Sequence, residues 1–477
     1  MKTNLLVSKI WSYCDTLRDD GLGYGDYLEQ LTYLLFLKMA DEKHDDYSLP
    51  DICNWSNLLN LEKGELITQY EVVLKTLATS GGMLTKIFQN AQNKIHDSYK
   101  LNKLIKLINE ETWTTSNTDI KGDIYESLLQ KNAESSGSGQ YFTPRAVIQA
   151  IVNCVEPKPK ETISDPSCGT GGFFLSSLEY LNKNKLNQEQ REFLKFKTFK
   201  GWEIESSTAR LCLMNLFLHG VGDLKETPSI EITDSLKKEV DEKVDIVLAN
   251  PPFGRSSSDI PTIDEKQANK DGYFLRKDFF VTTSNKQLAF LQHIMSMLKE
   301  NGRAAVVLPD NVLFEAGAGE IIRKKLLKDF NLHTILKLPN GIFYAQGVKS
   351  NVLFFEKSVN KTTSVCFYDY RTNIRHTPKN NPLKYEDLQK FVECYKLKDR
   401  NLTDELWSEE NTKGRWREYN IEKLKLRDNT NLDITWLKDD SLIDLDNLPE
   451  PEILLDEIIE NMESSLNSFR LIRGNLE

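Results

Sequence analysis

Asp165-Pro-Ser-Cys-Gly-Thr-Gly-Gly-Phe-Phe174 follows a short strand signal, Thr162-Ile-Ser-Asp165, and leads into the apolar spacing of a helix from Gly172. A strand that hands over to a helix through a glycine-rich turn opens an α/β unit. The alternation continues downstream. Strand-like Phe199 to Ile204 precedes a helix through Ala209 to Leu218, and Ile230 to Thr233 and Val244-Asp-Ile-Val-Leu-Ala249 read as further strands. A helix around Leu288 to Leu298, the strand Ala304 to Leu308 and a helix near Ile321 to Leu327 follow. Strands at Ile335 to Leu338 and Val352 to Phe355 complete the run. Such an order predicts a largely parallel sheet with helices on both faces, and ligands beyond the carboxyl ends of its strands.

Upstream, from Met1 to about Gln130, apolar residues recur at helical spacing, as in Tyr27, Leu31, Leu34, Leu35 and in Leu101, Leu104, Ile105, Ile108. These stripes read as the core of an all-α N-terminal domain rather than as a cofactor box. The polar stretch Glu134-Ser-Ser-Gly-Ser-Gly139 reads as a hinge. Three parts result: a helical domain over 1–133, an α/β catalytic domain over 134–384, and a mixed C-terminal region over 385–477. In the last segment Leu455, Ile459, Met462, Leu466 and Phe469 form the seam of a short coiled coil, which suits a partner helix or the chain's own body.

The chain has 477 residues, 39% hydrophobic and 28% charged, ordinary for a folded multidomain enzyme. No stretch reads as a signal peptide or reaches the length of a membrane span. Seven cysteines without a C-x-x-C pair suggest neither a disulfide framework nor structural zinc, so the expected compartment is reducing cytoplasm. With 61 basic and 71 acidic residues the net charge is −10, at odds with unaided grip on a polyanion. Any nucleic-acid contact is therefore local or shared with a partner.

Phe174 stands where a dinucleotide fingerprint would place its third glycine, which argues against a pyrophosphate site. The acid at the strand end suits a ligand carrying an ammonium group, such as the methionine moiety of S-adenosylmethionine. Ser167 and the amides of Gly169, Thr170 and Gly171 lie next to it in sequence. Gly201-Trp-Glu-Ile-Glu205 ends the next strand with Glu203, an acceptor for both hydroxyls of a ribose. Its distance from Asp165 exceeds the usual interval of about twenty residues, and polar Asn182 to Lys197 reads as the insertion responsible. Asp234, after the third strand, suits the adenine amino group of the same ligand. Each acid alone also fits a turn or helix cap; their serial placement at strand ends is what singles them out.

Asn250-Pro-Pro-Phe253 follows the strand ending at Ala249. Two prolines cannot continue a central strand, so the chain leaves the sheet there. An aromatic amine is a poor nucleophile because its lone pair is delocalised into the ring. The side-chain oxygen of Asn250 and the main-chain oxygen of Pro251 suit its two hydrogens and draw the nitrogen toward a tetrahedral form. Pro252 completes the turn, and Phe253 suits stacking on an extruded base. Such a transfer is a direct displacement requiring no metal. Methylation at cytosine carbon-5 calls for a cysteine after proline, and none of the 15 prolines precedes one.

Together these motifs resemble the modification (M) subunit of type I restriction-modification systems, an N6-adenine DNA methyltransferase of the gamma motif order. Gln140-Tyr-Phe-Thr-Pro-Arg145 resembles that family's donor-binding lead-in, which assigns Gln140, Tyr141, Phe142, Thr143, Pro144 and Arg145 to the cofactor. Leu338-Pro-Asn-Gly-Ile-Phe-Tyr-Ala-Gln-Gly-Val-Lys-Ser-Asn-Val-Leu-Phe-Phe355 is similar to a later signature, which assigns Phe343 to holding the flipped base. The resemblance implies a Rossmann-like sheet that uses S-adenosyl-L-methionine on double-stranded DNA. It implies a specificity (S) subunit that reads the sequence, a restriction (R) subunit for cleavage, and two copies of this chain per complex. Ser167-Cys168 replaces the alanine-rich stretch usual in this loop. The remaining alternatives are methylation of RNA or of a protein glutamine, and a catalytically silent assembly subunit or DNA-binding scaffold. No G-x-x-x-x-G-K-[ST] motor motif occurs.

Overall fold

The structure, a computed structural model, describes residues 24–42, 49–113, 143–223, 225–256, 259–271, 273–343, 349–377, 381–397 and 402–439. The expected hinge at 134–139, lead-in residues Gln140, Tyr141 and Phe142, and the C-terminal seam at 455–469 lie outside them. Two compact units divide the chain: residues 1–139 with 158–234, and residues 140–157 with 235–477. The crossing at 139/140 falls at the end of the Ser/Gly-rich stretch.

In the first unit, helices Tyr24–Glu42, Lys63–Thr79, Gly82–Phe88 and Ser98–Asn109 carry the predicted stripes. Leu31, Leu34 and Leu35 are buried, as are Leu101, Leu104, Ile105 and Ile108. The same unit holds three parallel strands, β1 (Ile163–Asp165), β2 (Phe199–Glu203) and β3 (Ser229–Ile232), with β2 in the middle. Helices Gly172–Asn182, Gln188–Phe196 and Ser206–Leu218 accompany them. The polar stretch read as an insertion is therefore largely an ordered helix, opened by a reciprocal capping box between Asn187 and Gln190 and anchored by buried Leu194.

Helix Ser206–Leu218 is the seat of the N-terminal helices. Phe217 packs on Phe36 at 5.3 Å, and Phe36 meets Phe88 edge-on at 5.4 Å. Buried Arg210 donates to Glu29 and to the hydroxyl of Tyr33, and its Nη2 donates to the Gln89 carbonyl at 3.0 Å. Burial beside Glu29 pushes the Tyr33 phenol well above its ordinary range, so it stays neutral.

The second unit contains helix Arg145–Val155 and strands β4 (Val244–Ala249), β5 (Pro261–Thr262), β6 (Phe274–Leu275), β7 (Leu298–Pro309), β8 (Asn331–Lys337), β9 (Ser350–Glu356), β10 (Ser364–Asp369) and β11 (Trp416–Asn420). Apart from the small β5–β6 pair, their order is β4-β7-β9-β8-β10-β11. Pairs β4–β7 and β8–β10 are parallel, as expected. Strand β9, by contrast, runs antiparallel to both β7 and β8, and β11 antiparallel to β10. The short connection from Lys337 to Ser350 suits an antiparallel return better than a crossover. Strand β10 is absent from the predicted alternation, although Val365, Cys366, Phe367 and Tyr368 are buried in the same way as the apolar run of β9.

Arg210→Met should remove one of the two cations beside Glu29, which keeps Lys94 at 3.3 Å, and leave the Gln89 carbonyl without its donor, destabilising the protein by about 1–3 kcal/mol. Chemical denaturation followed by tryptophan fluorescence measures this loss.

Candidate active site

Each unit presents one half of the predicted chemistry. In the first, Asp165 closes β1 and is 3% exposed. Its Oδ1 accepts from the Ser167 amide at 2.9 Å and from the Ser167 hydroxyl at 3.4 Å. The loop then closes on itself: Cys168 N–H donates to Trp202 O and Gly171 N–H to Cys168 O, both at 2.9 Å. Asn215, from helix Ser206–Leu218, donates to Thr170 O at 3.1 Å. Gly169 and Gly171 have φ of +54° and +87°, which an L side chain tolerates poorly. A Cβ on Gly171 would sit 3.0 Å from the Cys212 sulfur, whereas one on Gly169 would meet open space. The turn is thus packed from beneath and open at Gly169.

Glu203 ends β2 beside this loop. Its Oε2 accepts from Gly169 N–H at 3.0 Å and its Oε1 from Glu205 N–H at 2.9 Å, which locks the carboxylate in one orientation. Each oxygen keeps a second lone pair for a hydroxyl donor. Burial pushes the Asp165 carboxyl up to about 8, with the Glu203 charge acting the same way and the Ser167 amide opposing. Burial also raises Glu203, against the pull of its backbone donors. Asp234 lies half-buried just past β3.

In the second unit, β4 ends at Ala249, and Asn250-Pro-Pro-Phe253 leaves the ladder. Pro251 is buried, Pro252 exposed and Phe253 half-buried. Asn250 Nδ2 donates to Thr143 Oγ1 at 2.8 Å, and Thr143 is itself 8% exposed. That bond sets the nitrogen edge of the amide on Thr143 and the oxygen edge opposite. Thr143, grouped by sequence with the cofactor lead-in, is thus joined to the target turn. Pro144 caps helix Arg145–Val155, and Arg145 is exposed. Phe343 is only 2% exposed, on a segment whose Leu338 carbonyl accepts from Arg371 at 2.8 Å. Sequence reading missed Gln287, which meets the backbone of Gly254; no motif or periodicity marks it.

A buried acid behind a positive-φ glycine turn, and an Asn-Pro-Pro-Phe exit from a strand, are the features expected of an amino-methyltransferase of α/β fold. The N-6 DNA methylase family matches residues 116–434, and the HsdM N-terminal domain matches residues 6–109. The methylase subunit of the type I restriction enzyme StySPI from Salmonella potsdam is 38% identical over 522 residues, covering 100% of this chain and 96% of its own. The EcoKI methylase subunit of Escherichia coli K12 is 37% identical over 521 residues, with the same coverage of 100% and 96%. A solved chain from a type I R-M system superposes with a TM-score of 0.72 at 25% identity, covering 98% of this chain and 97% of its own. The chain belongs to the N-6 DNA methylase family, in the line of type I restriction-enzyme methylase subunits. It is accordingly an enzyme, a DNA methyltransferase. Among the described residues no helix is long and apolar enough to cross a membrane, and no cluster of potential metal ligands occurs.

Raising the Asp165 pKa in the fold means that folding favours its protonated form. Its contribution to stability is fully present below about 4, the ordinary carboxylate range, and is lost as pH rises through about 8. Asp165→Asn, neutral at every pH, should therefore gain melting temperature relative to the parent between pH 5 and pH 8.5, read by calorimetry of the ligand-free chain.

Proposed function

We propose that this chain transfers a methyl group from S-adenosyl-L-methionine to N6 of adenine at specific sites in double-stranded DNA, as the modification subunit of a type I restriction-modification complex in the cytoplasm. The observation that carries this reading is the Asn250–Thr143 bond, which orients the amide of a strand-exit Asn-Pro-Pro-Phe turn. The proposed folding parts are the helical domain over 1–133, the catalytic domain over 134–384 and the C-terminal region over 385–477, whose apolar seam serves to dock a partner. Partners in this reading are a specificity subunit that reads the sequence, a restriction subunit, and a second copy of this chain. A net charge of −10 supports that division of labour, because the phosphate backbone is then gripped mainly by others. If a chain truncated after Pro451 assembles and methylates normally, the docking role of the seam is wrong.

The donor half fits the cofactor. Asp165 lies at a strand end beside a glycine turn with open space at Gly169, and Glu203 is held with lone pairs to spare. When bound, S-adenosyl-L-methionine supplies an electrophilic methyl on a cationic sulfur. Asp165, its proton released to solvent, would be the counter-ion of the ammonium group, while Glu203 would accept from the ribose hydroxyls and Asp234 from the adenine amine. Ser167, Gly169, Thr170 and Gly171 shape the turn around them, and the lead-in from Gln140 to Arg145 is assigned to the same cofactor.

At the target, the Asn250 side-chain oxygen and the Pro251 carbonyl accept the two amine hydrogens. That pull localises the nitrogen lone pair and aims it out of the ring plane. Pro252 holds the turn, Phe253 stacks on the extruded base, and Phe343 supports the base from the loop after β8. As N6 bonds to the methyl carbon and the carbon–sulfur bond breaks to leave a neutral thioether, N6 becomes cationic and loses one of its two amine protons to solvent.

Asn250→Ala should slow single-turnover methylation about a hundredfold to a thousandfold, while calorimetric cofactor affinity persists. Phe253→Ala should mainly weaken capture of the extruded base, by roughly 1–3 kcal/mol of stacking, and Phe253→Trp should keep more activity. Near-normal turnover by Asn250→Ala, or methylcytosine as the product of the parent, contradicts the mechanism.

A further inference from the structure

Beyond the target turn, one buried side chain holds the backbone. Gln287 lies in the first turn of helix Lys286–Met297 and is 5% exposed. In the orientation that satisfies both ends of its amide, Nε2 donates to Gly254 O at 3.0 Å and Oε1 accepts from Gly254 N–H at 2.8 Å. This is the two-bond pairing that a neighbouring strand would offer. Lys286 N–H adds a bond to Gly254 O at 3.0 Å. Gln287 Nε2 also donates to Asn285 Oδ1. Asn285 in turn donates to Glu315 at 2.8 Å, and Glu315 accepts from Asn311 at 3.0 Å. The chain of bonds therefore runs from the residue after Phe253, through the helix start, to the segment just past β7.

Gly254 has φ of +115°, a region open to glycine and strained for other residues, and a Cβ there would meet nothing within 4 Å. Packing around a side chain therefore does not define its pose; hydrogen bonds do. Two successive prolines upstream have no N–H with which to tether the turn.

We propose that Gln287 is a positioning residue for methyl transfer: by pairing with both backbone groups of Gly254 it sets the angle at which Phe253 and the Pro251 carbonyl meet the base. The proposal rests on the reading of Asn250 to Phe253 as the target site. Without the clamp Gly254 keeps only the Lys286 N–H bond to its carbonyl and its own N–H loses its partner, so the stacking ring and acceptor oxygen are less firmly preorganised.

The test uses the full chain with its native partner subunits and two duplexes, one with adenine at the target position to read methylation and one with 2-aminopurine in its place to read base extrusion. Gln287→Met keeps the length and removes both bonds; Gln287→Glu keeps the shape but sets a carboxylate against Gly254 O and Asn285 Oδ1. Single-turnover methylation should fall about tenfold or more in Gln287→Met and further in Gln287→Glu. The fluorescence rise on base extrusion should shrink, while cofactor affinity stays within about twofold of the parent. Gly254→Ala alters the other partner of the same bonds without touching the helix, so it should give the same signature even if a Gln287 variant folds poorly. Parent-like rates in both Gln287→Met and Gly254→Ala overturn the proposal, as does a loss of cofactor affinity and melting temperature in step with the rate. Asn250→Ala measured alongside separates the two ideas. An inactive Asn250→Ala with parent-like Gln287→Met and Gly254→Ala defeats the clamp alone, whereas a fully active Asn250→Ala defeats the target-site reading and the clamp with it.

Discussion

Neither Pro251 nor Pro252 has a backbone N–H, and the target half of the protein is organised around that lack. Strand β4 is buried along nearly all its length, yet its ladder has to stop at Ala249. The chain then turns out of the sheet, and its polar groups are met from elsewhere. Thr143 takes the Asn250 amide, Gln287 takes Gly254, and Ser284 O receives Ser256 N–H at 2.8 Å. The returning segment is clasped as firmly. Arg276 forks onto Asp278 with bonds of 2.8 and 2.7 Å, and Gln292 Oε1 accepts from Phe280 and Val281 N–H at 2.9 and 3.1 Å. Burial and the adjacent Arg276 drive His293 down to about 3, so this clasp holds a neutral imidazole across the physiological range. A turn that cannot hydrogen-bond as a strand is made rigid by side chains, as a preorganised acceptor pair requires.

The donor half follows a different logic. Its key acid is not displayed on the surface but buried at the end of β1, where a proton is cheaper to keep than a charge. In the proposed reading a cationic ligand group reverses that balance, which couples binding to deprotonation. The glycine turn makes the approach feasible, since it is supported from below by Cys212 and has no side chain to block Gly169. Helix Ser206–Leu218 links this turn to the N-terminal helices within the same unit. Asn215 holds Thr170 O on one side, and Arg210 holds Glu29 and Tyr33 on the other. The N-terminal helices are thereby packed against the element that supports the donor loop.

Most of the fold was legible in local pattern. The strand at 244–249 coincides with β4, and the helical stripes of the N-terminal region are buried as their spacing requires. The motif residues, too, are local: a glycine turn after a strand, acids at strand ends and an Asn-Pro-Pro-Phe exit state their chemistry within a few residues. Strand direction was less accessible. Continuous apolar runs mark β9 and β10 as buried, but nothing in such a run says which neighbour it pairs with or in which sense.

What the sequence determined by itself is therefore the order of the main elements through β9 and the residue types at their strand ends, because propensity, periodicity and turn chemistry act over short stretches of chain. Only the tertiary structure decided who holds whom. Thr143 meets Asn250 across 107 residues, and Arg210 meets Glu29 across 181. Gln287 reaches the glycine beside Phe253 from another element. A hydrogen bond between distant residues leaves no period and needs no motif, since it depends on two backbones brought within about 3 Å by packing elsewhere.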